Sequence, residues 1–105
     1  MDNKEIDNFS KRILLNSLYD IYSKLLTEKQ KMYFEDYYFS NLSYGEMSEK
    51  YNVTRNALFH QMKLIEEKLT TFEEKLKLLE KKNKINDIIE SENNKRIKEM
   101  LEDLF

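Results

Sequence analysis

Leu42 to Leu69, LSYGEMSEKYNVTRNALFHQMKLIEEKL, reads as a short helix, a tight turn and a second helix. Ser43 stands three residues before Glu46, so hydroxyl and carboxylate can each satisfy an orphan backbone donor of the other, as in a capping box. Tyr51-Asn52 ends that helix, because Asn is among the few non-glycine residues that tolerate the left-handed conformation of a sharp turn. Val53 plugs the angle between the helices. Thr54 caps the second helix, in which Leu58, Met62, Ile65 and Leu69 follow the spacing of one buried face. The opposite face carries Arg55, Asn56, Phe59, His60 and Lys63. The stretch is a helix-turn-helix, and the rest of the chain can be read as its support.

Outward from this motif the same logic gives helices on both sides. Upstream, Ile6, Phe9, Ile13, Leu14, Leu18, Ile21, Tyr22 and Leu25 recur at helical spacing, widened by Leu15 and Tyr19, so the periodicity predicts a first helix over 5–26. Thr27 with Gln30 is a second capping box and predicts a helix over 28–40, buried through Met32, Tyr33, Phe34 or Tyr37, and Tyr38. The Tyr and Phe content admits two uses, stacking on single-stranded bases or filling a core. Helical spacing and the lack of flanking Arg and Lys clusters favour the core.

Downstream, Leu58, Met62, Ile65, Leu69, Phe72, Leu76 and Leu79 alternate steps of four and three, which is a coiled-coil seam. The second helix is therefore expected to run unbroken from 54 to about 82. Phe72, Leu76 and Leu79 lie beyond the reach of a three-helix head, so either a second chain or the tail must cover them. A homodimer joined through this long helix and the aromatic face of the first two helices is the expectation, with a folded-back tail as the rival. Asn83 falls on a seam position and the stretch KKNKIND marks a break. A tail over 83–105, helical in two pieces, carries Ile85, Ile88 and Ile89, then Ile97, Met100, Leu101 and Leu104.

Composition agrees with an all-α chain. There are 105 residues, one Gly and no Pro, with 36% charged and 40% apolar residues, a pattern suited to amphipathic helices in one small domain over 1–82 plus the tail. The absence of Cys excludes disulfides, thiolate metal sites and cysteine nucleophiles. No apolar run reaches the length of a membrane span and the start MDNKEIDNF is too polar for a signal peptide, so a cytoplasmic location without membrane contact is expected. His60 is the single histidine, there is no Gly-rich phosphate loop, and Glu66-Glu67 and Glu73-Glu74 read as the wet side of a helix. No catalysis, metal, cofactor or small-molecule substrate is expected.

The order of residue types in the motif resembles the fourth-region domain of sigma-70 factors. With LLTEKQKMYFEDYYFSN ahead of it, the chain is similar to the small YlxM proteins, the UPF0122 family of helix-turn-helix proteins, over roughly 14–82. The most specific parts are Leu26-Thr27-Glu28-Lys29-Gln30, the Tyr37-Tyr38 pair and Asn52-Val53-Thr54-Arg55-Asn56-Ala57. The resemblance implies a sigma-70 region 4-like bundle with a long helical extension. It also implies an accessory or regulatory role in the signal recognition particle pathway, with the particle's RNA or protein as partner. The alternative is a DNA-binding regulator, because the second helix of such a motif lies in the major groove. Thr54, Arg55, Asn56, Phe59, His60, Gln61 and Lys63 are then the candidate nucleic-acid-binding residues. Arg55, Asn56, Gln61 and Lys63 suit guanine, adenine or phosphate, and His60 suits phosphate. Phe59 and Leu64 stand where sigma-like domains carry polar or basic residues. Leu42 to Leu69 balances four basic against four acidic residues, and the whole chain has a net charge of −2. These features weaken the pull toward phosphate and favour a docking surface anchored by Phe59.

Overall fold

The computed structural model describes residues 3–92 and 95–104, and among them every regular element is a helix. α1 spans Asn3–Tyr22 and runs through a 3₁₀ turn, Ser23–Leu25, into α2, Glu28–Tyr38. α3, Tyr44–Tyr51, and α4, Arg55–Leu76, form the helix-turn-helix; α5, Leu78–Glu92, and α6, Lys95–Glu102, complete the chain. The start signals act as their chemistry predicts. Thr27 and Gln30 form a reciprocal capping box, as do Ser43 and Glu46, and the Thr54 hydroxyl accepts the Ala57 N–H at 3.0 Å. Asn52 is left-handed, with φ 54°, and stops α3.

α1, α2 and α3 all pack against α4. Leu58, Met62, Ile65 and Leu69 supply the α4 side of the core and are buried, with Leu15, Leu18, Tyr19, Tyr22, Tyr33, Phe34 and Met47 facing them. Burying each such side chain stabilises the fold by about 1.5–3 kcal/mol, which is why the four-three spacing of α4 sets its orientation. A core this rich in tyrosine must also satisfy phenolic hydroxyls. Tyr22 of α1 donates to Glu73 of α4 at 2.6 Å, Tyr38 of α2 to Glu66 of α4 at 2.7 Å, and Tyr51 of α3 to Asp36 of α2.

Three sequence expectations need correction. The second helix of the motif does not continue to 82: it ends at Leu76, where Lys77 turns left-handed with φ 53° and ψ 35°. The physical reason is a hydrogen-bonded node. Glu73 accepts the N–H groups of Leu79 and Glu80 at 3.0 and 3.2 Å, and the Tyr22 hydroxyl accepts the N–H of Leu78 at 3.1 Å. One carboxylate and one phenol thus satisfy the orphan donors that open α5. The break lies at 77 and not at Asn83, which sits inside α5. The seam residues Phe72 and Leu79 pack partly buried against the chain's own core, Phe72 with its ring centroid 5.8 Å from that of Tyr22, whereas Leu76 stays 45% exposed. Second, α1 has an uncovered first half. Its core contacts begin at Leu15, and Ile6, Phe9, Ile13 and Leu14 are 45–58% exposed, because the head reaches only its second half. Third, Met32 is exposed, and Tyr33 and Phe34 carry the burial on α2. In the tail, Ile89 is buried and Leu101 partly so, while Ile88, Met100 and Leu104 are exposed. The joint at 93 and 94 and the side chain of Ile97 lie outside the described residues.

The phenol–carboxylate pairs give stability a pH window. Burial alone would raise the Asp36 carboxyl, but hydrogen bonds from Tyr51 and Lys50 outweigh it and hold the group below its ordinary value. Its contribution is therefore present above the unfolded value of about 3.9 and lost as pH falls through the lower folded value. Burial first, then the carboxylate partner, raises Tyr22, Tyr38 and Tyr51. Their contribution is present below about pH 10 and lost as pH rises through the folded values. Urea denaturation followed by far-ultraviolet circular dichroism should give a plateau at neutral pH with losses on both sides. Asp36→Asn should flatten the acid limb, and an unchanged limb would contradict the assignment. Glu73→Ala should cost about 1.5–3 kcal/mol, the scale of hydrogen bonds to a charged group, with Leu79 becoming more accessible.

Candidate nucleic-acid interface

α4 enters the motif with the outward face of its first three turns uncovered. From Thr54 to Ile65 it carries Arg55, His60 and Lys63 and no carboxylate. The acidic residues that cancel charge across the motif are placed elsewhere. Glu46 turns back to its own capping box, and the Glu66 side chain is only 16% exposed and accepts from Tyr38 and Lys11. Lys50 is engaged with Asp36 at 2.9 Å. Glu49 and Glu67 are exposed but lie outside Thr54–Ile65, so within a balanced segment that stretch alone is positive, with the positive end of the helix dipole at its start.

The candidate residues separate into three groups around the helix. Asn56, His60 and Lys63 recur at steps of four and three and point outward together with Leu64, all exposed. Arg55 and Phe59, four residues apart, share the flank toward α3 and α2. Gln61 is exposed on the opposite flank and joins neither group. Thr54 is exposed, but its hydroxyl oxygen serves the helix cap. Phe59 is 46% and Leu64 49% exposed.

Arg55 has a specific seat. The chain's single glycine, Gly45 in the first turn of α3, has no left-handed backbone to accommodate; its use is space. A Cβ there would lie 2.9 Å from Arg55 Nη2 and 3.3 Å from Cζ, so the guanidinium rests where any other residue would carry a side chain.

On the Phe59 flank opens a cleft of about 350 Å³ that the sequence does not announce. α1 contributes Asn8, Lys11 and Arg12, α2 contributes Tyr37 and Tyr38, α3 contributes Tyr44, and α4 contributes Phe59, Lys63 and Glu66. Tyr37 and Tyr44 stack with centroids 4.9 Å apart and planes at 12°, and Tyr44 and Phe59 stand perpendicular with centroids 6.3 Å apart. Lys63 Nζ lies 5.4 Å from the centre of the Phe59 ring. Lys11 pairs with Glu66 at 3.4 Å. Arg12 donates through Nη2 to the carbonyls of Tyr37 and Tyr38, at 3.4 and 3.1 Å, and to Asn41 Oδ1 at 3.0 Å. Its guanidinium lies over the Tyr38 ring at 5.0 Å. Burial first, then neighbouring Tyr37 and Glu66, raises the Tyr44 phenol above its ordinary range. Lys11, Arg12, Tyr37 and Tyr44 were absent from the sequence-based candidates. The signal available was an adjacent Lys-Arg pair on an otherwise apolar stretch of helix and the Tyr37-Tyr38 pair. No group of three or more His, Asp or Glu among the described residues is placed to hold a metal ion, and no helix there is long and apolar enough to cross a membrane.

An all-α head in which a capped eight-residue helix, a left-handed Asn turn and an exposed second helix follow one another defines a helix-turn-helix protein. Within that class, the chain matches over residues 9–104 the family model described as "Putative helix-turn-helix protein, YlxM / p13 like", and it belongs to that family, UPF0122. It is 41% identical over 80 residues to a UPF0122 protein of Halalkalibacterium halodurans, covering 76% of this chain and 73% of the relative. A UPF0122 protein of Listeria innocua is 38% identical over 105 aligned positions, covering 91% of this chain and 96% of its own length. One from Desulforamulus reducens is 49% identical over 67 residues, covering 64% and 57%. The family description names a helix-turn-helix protein and no catalytic activity.

The Gly45 seat gives a test of the interface that needs no ligand. Gly45→Ala should leave stability unchanged or raise it by up to about 1 kcal/mol, since Ala is the better helix former and the obstacle is the mobile end of a side chain. It should nevertheless shift the Arg55 Nε–H resonance. An unmoved resonance would mean that Arg55 does not occupy the seat in solution.

Proposed function

We propose that this chain is a regulatory protein that acts by binding and not by catalysis, presenting the first three turns of α4 to the major groove of a nucleic-acid duplex. The observation that carries the reading is the outward face of Asn56, His60 and Lys63, with Arg55 beside it, uncovered and free of carboxylates from Thr54 to Ile65. Asn suits adenine, Arg suits guanine, and Lys and His suit phosphate. Phosphate contacts hold the register and base contacts supply discrimination. Few cations means a modest salt slope.

The finer reading, an accessory of the signal recognition particle pathway in the cytoplasm, draws on the resemblance of the sequence. Its physical support is the pair of exposed apolar side chains on the same helix, Phe59 and Leu64, which a phosphate-holding face does not require. Such side chains act as anchors when a protein or ribonucleoprotein closes over them. Association of two copies is part of the proposal as well. With Phe72 and Leu79 packed on their own chain, the surface that supports it is the exposed stripe of Ile6, Phe9 and Ile13 on α1.

Three measurements test these statements. Against a selected duplex, Arg55→Ala or Asn56→Ala should cost about 1–3 kcal/mol of discrimination at one base pair, and Lys63→Ala should weaken all duplexes alike. Selection from random duplexes that enriches nothing would overturn duplex reading. Pull-down from cell extract with and without nuclease should recover the particle's RNA or its GTPase if the pathway reading holds, and promoter DNA alone would remove it. Sedimentation at micromolar concentration should show a species above 12.9 kDa that Phe9→Glu dissociates; a monomer in both cases would remove the dimer.

A further inference from the structure

We propose that the cleft lined by α1, α2, α3 and α4 binds one nucleotide unit, an aromatic base carrying a phosphate. This site lies beside the outward reading face and shares Lys63 with it; the inference rests only on α4 presenting Phe59 and Lys63 to the cleft, not on duplex binding.

The chemistry of the walls selects the ligand. Phe59 contributes a ring that is 46% exposed and stands perpendicular to Tyr44, an exposed aromatic surface on which a base can stack. Base stacking on such rings is tolerant of sequence because every base has a π face. Lys63 lies over that same ring and has no carboxylate partner among the described residues, so its ammonium is available to a phosphate attached to the stacked base. Lys11 on the opposite helix is 57% exposed and can reach the same phosphate while keeping its contact with Glu66. Arg12 acts differently. Its Nη2 is bound to the carbonyls that end α2 and to Asn41, so it adds fixed positive charge without moving. Against these three cations stands one carboxylate, Glu66, already bonded to the Tyr38 hydroxyl and Lys11. The cleft is thus locally positive in a chain of net charge −2. A bare anion would leave the Phe59 face unused, and an uncharged ring would leave Lys63 unused. A volume of about 350 Å³ is at the small end for ligand sites and suits one base with its phosphate and not a longer segment. The unit can come from a free mononucleotide or from an unpaired residue of a single strand. Only the free mononucleotide departs from the expectation that no small-molecule substrate is bound.

The test is a titration of the full chain, followed by amide chemical shifts, with four probes: adenosine 5′-monophosphate, adenosine, inorganic phosphate and a single-stranded adenine octanucleotide. The monophosphate should shift the amides around Lys11, Tyr44, Phe59 and Lys63, and bind at least about tenfold more tightly than adenosine or phosphate. Phe59→Ala and Lys63→Ala should each weaken it about tenfold or more, the scale of one lost base stack or phosphate contact. Phe59 and Lys63 are exposed, and unchanged circular dichroism in both variants checks that the fold is intact. Arg55→Ala should leave nucleotide affinity within about twofold even where it abolishes duplex discrimination, so the two readings fail separately. An octanucleotide bound at least about tenfold more tightly than the monophosphate identifies a single strand as the source, and comparable affinities identify the free nucleotide. Shifts confined to other surfaces, phosphate equal to the monophosphate, or variants without effect would overturn the proposal.

Discussion

Every helix of the head is tied to another through a phenol and a carboxylate. Tyrosine offers a small protein more buried ring than leucine, but its hydroxyl must find an acceptor or destabilise the core by roughly 1–3 kcal/mol. Here the acceptors are carboxylates: Glu73 for Tyr22, Glu66 for Tyr38 and Asp36 for Tyr51. These bonds link α1 to α4, α2 to α4 and α3 to α2. Apolar contacts are tolerant of sliding, whereas a phenol has one oxygen and its bond has a direction. The orientation of α4 against α1, α2 and α3, and so which face of its first three turns is exposed, depends on these bonds together with the buried α4 face.

The same bonds explain a charge balance that misleads. Counted along the chain, the motif is neutral and looks indifferent to phosphate. Counted by surface, Glu46 and Glu66 are used on a cap and a phenol, Glu49 and Glu67 are exposed but lie outside Thr54–Ile65, and Arg55 and Lys63 remain exposed within it. Net charge over a segment weighs every residue equally, but the field felt by a partner is set by those that face solvent.

What the sequence made legible is what local rules control. The capping boxes at Thr27 and Ser43, the cap at Thr54 and the left-handed Asn52 each depend on residues within four positions, and each is found where its pattern sits. The buried face of α4 is equally plain because its period has one solution. The halt at Lys77 was not legible. It carries neither Gly nor Pro, and the groups that cause it, Tyr22 and Glu73, lie 51 positions apart. The heptad spacing through Leu79 continues correctly in apolar character while the backbone changes direction, so Phe72 and Leu79 meet the core and not an extended seam. The cleft is hidden for a related reason. Its lining comes from four helices, and nothing in the local pattern of Lys11-Arg12 or Tyr37 says that they will face Phe59.

At Lys77 the chain sets two opposing preferences against each other. A left-handed residue other than glycine is disfavoured by about 1–2 kcal/mol, and the uninterrupted alternative is a straight rod through Leu76, Leu78 and Leu79. Opposing it are the bonds from Tyr22 and Glu73 to the first N–H groups of α5. The heading of everything beyond residue 77 is thus decided by the groups at 22, 73 and 77 together. Relatives with the same head but another residue at 22, 73 or 77 need not point their tails the same way, and length of chain is then no guide to reach.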